Sequence, residues 1–197
     1  MTKYKDIVGT AVRNNAGNLT EAETGQVWFD STNIDFKYLF PTTIASWRTT
    51  GSLNTARYNA GDQIGTTSSG MVAGGSPALA NAENWNGSSW TEVNDLNTGR
   101  NGIAGAGVYT AGLMYGGYTG GVVANTESWN GSAFSEVADL NTARYGGGAG
   151  GDQTAAILSG GNIVDETEIW NGSAWTETAD MNTARRNQKG SGTSTAN

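Results

Sequence analysis

The residues of this sequence that could do chemistry are carboxylates, arginines and tyrosines, because it contains neither histidine nor cysteine. Imidazole acid–base catalysis, thiolate nucleophiles and the common transition-metal ligand sets have no carriers. The carboxylates fall into ranks. Glu83, Glu127 and Glu168 share one spacing, Glu92, Glu136 and Glu177 a second, and Asp95, Asp139 and Asp180 a third. Arg57, Arg100, Arg144 and Arg185 recur at nearly the same interval. Such an acidic ring could hold a cation, but residues written once per repeat usually serve the repeat. Ion pairing with the four arginines is therefore expected, with the aspartates capping turns. A cation held at a channel mouth, by backbone carbonyls as much as by side chains, is the alternative.

The residues that break the pattern are Tyr118, Asp165, Glu166, and Asp62 and Asp152 in two "GDQ" stretches. An opposed pair of carboxyls could hydrolyse a glycosidic bond. Asp165 and Glu166 are adjacent, however, and neighbours on a strand point to opposite faces. No catalytic residue, metal-ligand set or cofactor is expected.

These groups need a frame, and the frame is repetitive. An "LNTAR"-like element starts at Leu53, Leu96, Leu140 and Met181, at intervals of 43, 44 and 41 residues. Each start lies six residues after a large aromatic: Trp47, Trp90, Phe134 and Trp175. A period of this size suits a four-stranded propeller blade better than a helical repeat. Within one repeat, "NGIAGAGVYT", "AGLMYGG", "ANTESWNG" and "SAFSEVAD" read as four short strands, here termed A to D. "WNGS" recurs at Trp85, Trp129 and Trp170 and is expected to make a type I′ hairpin turn between strands C and D. Glycine fills 30 of the 197 positions, about twice its usual share of roughly 7%. Its recurrence between apolar residues argues against a flexible linker. Runs such as "GIAGAG" and "YGGGAGG" suit innermost strands crowded near an axis. Trp, Phe and Tyr on the outer strands suit the wedge between neighbouring blades.

A glycine pair ending strand B, an aromatic hairpin and a Leu/Met…Arg exit resemble the kelch motif over residues 47 to 185. The short "WNGS" hairpin departs from that family, whose turn there is usually longer. The resemblance implies an all-β, four-bladed, kelch-like β-propeller. Some kelch-type propellers are copper oxidases, a chemistry without ligands here. Three complete repeats cannot close a ring. "GQVWFDST", "DFKYLFP" and "ASWRTTG" read as three further strands, and "RNQKGSGTSTAN" as one innermost strand. The ring is thus expected to be closed by one C-terminal and three N-terminal strands, which would also hide sheet edges. The expected domains are an arm, residues 1–24, and the propeller, residues 25–197. The D–A connections and B–C loops then share one rim, with the "WNGS" turns opposite. The B–C loops vary most, which makes that rim the expected binding surface, with Pro77, Tyr118, Asp165 and Glu166 as candidates. Arg57, Arg100, Arg144, Arg185, Trp85, Trp129 and Trp170 are expected to be structural.

The net charge of −7 disfavours a nucleic-acid partner. No apolar run approaches the roughly 18 residues of a membrane span, and the opening segment has no signal-type run; the absence of cysteine fits synthesis in the cytoplasm. "NGS" at Asn86, Asn130 and Asn171 and "NLT" at Asn18 match a glycosylation pattern, but turn geometry already accounts for the first three.

"VGTAVRNNAGN" followed by "TGQVWFDSTNIDFKYLF" resembles the N-terminal stretch of virion structural proteins of tailed phages, particularly those of marine cyanobacteria. There a "G-x-[VL]-W-[FY]-[DN]-S-T" segment leads into Gly-rich, "LNTAR"-bearing repeats. The resemblance implies a non-enzymatic virion component (tail or neck appendage, or capsid decoration) present in many copies. Its arm would bind other virion proteins. The alternative is a carbohydrate-binding module that recognises a host surface glycan through the rim.

Overall fold

The computed structural model describes residues 13–15, 27–38, 50–162 and 164–192. They are all-β, with no helix among them. The chain divides into two compact units, Met1–Thr49 and Thr50–Asn197.

The first unit holds a three-stranded sheet of β1 (Arg13–Asn15), β2 (Val27–Asp30) and β3 (Asp35–Tyr38), in that order. β2 and β3 form a hairpin whose turn is held by Asp30: its Oδ1 accepts from the Thr32 amide at 3.0 Å. β1 pairs in parallel with β2, Arg13 opposite Trp28.

The second unit contains three four-stranded antiparallel sheets. Sheet I comprises β4 (Ile64–Thr66), β5 (Ser69–Ala73), β6 (Ala82–Trp85) and β7 (Trp90–Val93). Sheet II comprises β8 (Ala104–Val108), β9 (Ala111–Tyr115), β10 (Thr126–Trp129) and β11 (Phe134–Glu136). Sheet III comprises β12 (Gly148–Gly151), β13 (Ala156–Gly161), β14 (Val164–Trp170) and β15 (Trp175–Thr178). Strands follow chain order in every sheet, so each is a meander of hairpins.

The cores lie between sheets. Trp129 and Phe134 of sheet II pack with Ile64 and Met71 of sheet I; Trp170 and Trp175 of sheet III pack with Leu113 and Tyr115 of sheet II. The indole Nε1–H groups are satisfied while the rings stay buried: Trp129 donates to the Tyr109 carbonyl at 2.9 Å and Trp175 to Thr126 Oγ1 at 3.1 Å. The first strands leave no room for side chains. A Cβ on Gly105 would lie 3.0 Å from Ile64 Cγ2, which explains the glycine-rich pattern of strand A.

Two expectations are corrected. The C–D hairpins are not type I′ turns, because only the glycines, Gly87, Gly131 and Gly172, have positive φ. Instead each Asn folds an Asx turn: Asn86 Oδ1 accepts from the Ser88 and Ser89 amides at 3.0 and 2.9 Å. Nor do the described residues form a fourth four-stranded sheet. β2 has β1 on one edge and β3 on the other, so neither edge is left for the C-terminal segment. "ASWRTTG" falls mostly outside the described residues. Residues 186–192 lie beside β12, bonded at separate points (Gln188 N–H to Gly146 O, 3.2 Å; Gly151 N–H to Gly192 O, 2.7 Å) rather than by a continuous ladder.

Candidate functional site

The "LNTAR" connections fasten one sheet to the next, and they do it by two different kinds of bond. Their backbone grips the preceding sheet. Leu96 N–H donates to Ala80 O at 3.0 Å, and Arg100 O accepts from the second glycine of the pair, Gly75, at 3.0 Å. Their side chains grip the following sheet. There Glu127 Oε2 accepts from the Asn97 amide at 2.7 Å and from Asn97 Nδ2 at 2.9 Å, and its Oε1 pairs with Arg100. Asn97 Nδ2 also donates to Phe134 O at 3.3 Å. The remaining Arg100 donors meet the carbonyls of Gly116 and Met114 at 2.9 and 3.2 Å.

The same carboxylate contacts recur on either side, although the Arg144 guanidinium makes only the ion pair, with no hydrogen bond from its nitrogens to a carbonyl. Asn54, Thr55 and Arg57 engage Glu83, with an ion pair of 2.6 Å; Asn141, Thr142 and Arg144 engage Glu168, with an ion pair of 2.8 Å. Burial alone would raise the Glu83 carboxyl, but the Asn54 and Thr55 amides, the Asn54 side chain and Arg57 hold it below its ordinary value. Burial pulls the Arg144 guanidinium down, opposed by Glu168 and Glu166. The expected pairing is thus present for three arginines. It is absent for the fourth: Arg185 is exposed and has no carboxylate partner among the described residues. The structural tryptophans Trp85, Trp129 and Trp170 are buried, as their wedge position requires.

The connections and the B–C segments share one side of the sheets, where the exposed Tyr58 and Tyr118 and the half-buried Tyr145 lie. Tyr58 is 74% exposed and its carbonyl accepts from Ser76 N–H, next to the exposed Pro77. The rings of Tyr118 and Tyr145 lie 5.7 Å apart at 55°. Tyr118 and Asn101 exchange backbone hydrogen bonds of 2.9 and 3.1 Å, and Asn101 Oδ1 accepts from Asn59 Nδ2 at 2.9 Å. Tyr145 also stands over Gly102, where a Cβ would come within 3.1 Å of its ring. Of this group only Pro77 and Tyr118 are foreseen as site residues. Tyr58 and Tyr145 were legible as the residues directly after Arg57 and Arg144.

Beside these rings, four chain segments meet around a pocket of about 90 Å³ lined by Asn59, Gly102, Gly146, Asn187 and Lys189 among others. Asn59, Gly102, Gly146 and Asn187 each stand two residues after a hook arginine. Backbone bonds link them in order: Gly102 N–H to Asn59 O at 3.0 Å, Gly146 N–H to Gly102 O at 3.0 Å, and Gln188 N–H to Gly146 O. The Lys189 ammonium then pairs with the Asp62 carboxylate, joining the last segment to the first.

Asp165 and Glu166 lie on β14 rather than in a rim loop. Gly161 is already paired with Val164, so the expected loop "NIVDET" shrinks to a tight turn. Neither residue lines this pocket. Asp165 contributes its carbonyl to Met181 N–H at 2.9 Å, and Glu166 lies in the field of Arg144. Asp152 is committed to its own hairpin. A side-chain bond from Thr154, then backbone bonds from Thr154 and Ala155, hold its carboxyl below the ordinary range. Among the described residues no three His, Cys, Asp or Glu side chains gather to hold a metal ion. What the surface offers is aromatic faces and amides around a small pocket.

No protein-family model matches the sequence, and no curated protein matches it. Among solved structures, one titled "Structure of YjhT" superimposes with a TM-score of 0.56 over 68% of this chain, at 11% identity. The chain covers 54% of that structure, about half its length. At such low identity the likeness concerns the fold alone. It agrees with an all-β, propeller-like architecture.

Proposed function

We propose that this chain is a non-enzymatic structural and interaction protein of a tailed-phage virion, built as a kelch-like propeller of four-fold plan. One observation carries the non-enzymatic part. The buried carboxylates that recur with the repeat, Glu83, Glu127 and Glu168, are each saturated by an arginine and by amides of the preceding connection. Buried in these pairs, they hold sheets together. The reading of a four-fold plan draws on the run of hydrogen bonds from Asn59 through Gly102 and Gly146 to Gln188, with residues 186–192 beside β12 taken as a fourth innermost strand. The virion assignment rests on the N-terminal resemblance. Attachment to other virion proteins is assigned to the arm, residues 1–24, of which Arg13–Asn15 pairs with β2. Its alternating segment "DIVGTAV" lies outside the described residues. Residue-level imaging of intact particles tests the assignment: density for this chain in many copies is expected. Particles that assemble normally and lack it overturn the assignment.

A second reading, recognition of a host surface glycan, is favoured by the Tyr118–Tyr145 pair and by Tyr58 on the variable rim. Sugar rings stack on such exposed aromatic faces while amides such as those of Asn59 and Asn101 meet their hydroxyls. Glycan-array binding that is lost in both Tyr118→Ala and Tyr145→Ala would support it. Binding that survives both substitutions would remove it.

A further inference from the structure

We infer that Met181–Asn182–Thr183–Ala184–Arg185 is an open socket for a glutamate carried on a β-hairpin of a partner polypeptide. The inference rests on the hook geometry and holds whether or not the chain belongs to a virion. Three hooks of the same sequence pattern are closed in this protein, each on a buried glutamate that lies seven residues before the aromatic opening the next strand: Glu83 and Trp90, Glu127 and Phe134, Glu168 and Trp175. The fourth hook has the same residues and its backbone is already set. Met181 N–H donates to Asp165 O at 2.9 Å, Arg185 N–H to Val164 O at 3.2 Å, and Arg185 O accepts from Gly161 N–H at 2.8 Å. These match the bonds of Leu96 to Ala80, Arg100 to Leu79 and Gly75 to Arg100 in the closed hook. Only the carboxylate is missing. Asn182, Thr183 and Arg185 are exposed, and with Asp180 and Met181 they line a pocket of about 350 Å³.

The chain's own N-terminal segment does not carry the required group. Seven residues before Trp47 stands Phe40, and no acidic residue occurs between Asp35 and Asp62. The second-unit glutamates of this rank are already engaged. The chemistry of the occupant follows: a strand pair of the E-x-[W]-N-G type, presenting one carboxylate to two amides, an asparagine side chain and a guanidinium. Charge complementarity selects it, and the preset backbone spares the ordering cost of binding.

The test uses the full chain and the hairpin of residues 164–178, whose Glu168 closes the third hook, supplied as a linear and as a backbone-cyclised peptide. The cyclised form separates a failure of the isolated hairpin to fold from a failure to bind. In a 15N-resolved titration the Asn182 and Thr183 amides should move downfield, as amides do on bonding a carboxylate. A peptide with Glu168→Gln, or a chain with Arg185→Ala, should bind about tenfold more weakly or worse. The inference falls if neither peptide form shifts those amides. It falls equally if both substitutions leave affinity unchanged, or if the two amides of the free chain are already as protected from exchange as Asn141 and Thr142. That last outcome would mean that the socket is already closed in the free chain.

Discussion

Arg100 and Glu127, 27 residues apart in sequence, form an ion pair from which water is excluded, both side chains being 0% exposed. Every other polar atom of the carboxylate and most of the guanidinium is matched within the same hook. Removing one partner strands the other. Arg100→Ala should destabilise the protein by about 3–5 kcal/mol, whereas the exposed Arg185→Ala should cost within about 0.5 kcal/mol. Urea unfolding of the two variants checks this. Equal losses would show that the closed and open copies of the motif are energetically alike.

Acid should loosen the hooks. The folded Glu83 carboxyl sits below its ordinary value of 4.5, so its contribution is complete above about pH 4.5 and is lost as the pH falls through the lower folded value. Glu83→Gln should be less stable than the parent at pH 7 and should lose less of its stability between pH 5 and pH 3. A variant that tracks the parent's pH profile in parallel would contradict the assignment.

Glycines of one type should behave oppositely. Gly116 has φ +66° and a Cβ there would lie 2.4 Å from Arg144 O, the carbonyl that anchors the next connection. Gly121 has nothing within 4 Å. Gly116→Ala should cost at least about 2 kcal/mol, and Gly121→Ala within about 0.5 kcal/mol. Thermal melts of the pair suffice.

Deleting residues 186–197 should lower the melting temperature by more than Lys189→Ala does. The Lys189–Asp62 pair is exposed at its lysine end and contributes at most about 1 kcal/mol. The deletion, by contrast, uncovers Ala149 and Gly150, against which Gly190 and Gly192 pack. A truncated chain as stable as the full one would show that the fourth segment is dispensable.

Much of this was legible in the order of residues. Period, strand count per repeat and the wedge role of Trp129 and Trp175 follow from local patterns: alternation, Asn-Gly turns and aromatic spacing each report on a few neighbouring residues. Pairing of the repeated arginines with the repeated glutamates was legible too, since each occurs once per unit. Pro77 and Tyr118 were legible as loop residues because the B–C segments vary between repeats, and both are exposed. Asp165 and Glu166 were misplaced because the Gly161–Val164 pairing extends β14 through them.

The sequence by itself determined three four-stranded units and the connections between them, because a meander is built from contacts close in the chain. Only the tertiary structure decided how many units have partners. Whether β2 pairs with β1 or with the C-terminal segment depends on contacts between residues far apart, where several pairings satisfy the same backbone donors. It also decided which copy of a repeated motif is closed. Arg144 and Arg185 sit in the same pattern, yet one is sealed against Glu168 and the other faces solvent. A motif specifies its own bonding groups; the presence of a partner strand is a property of the assembled fold.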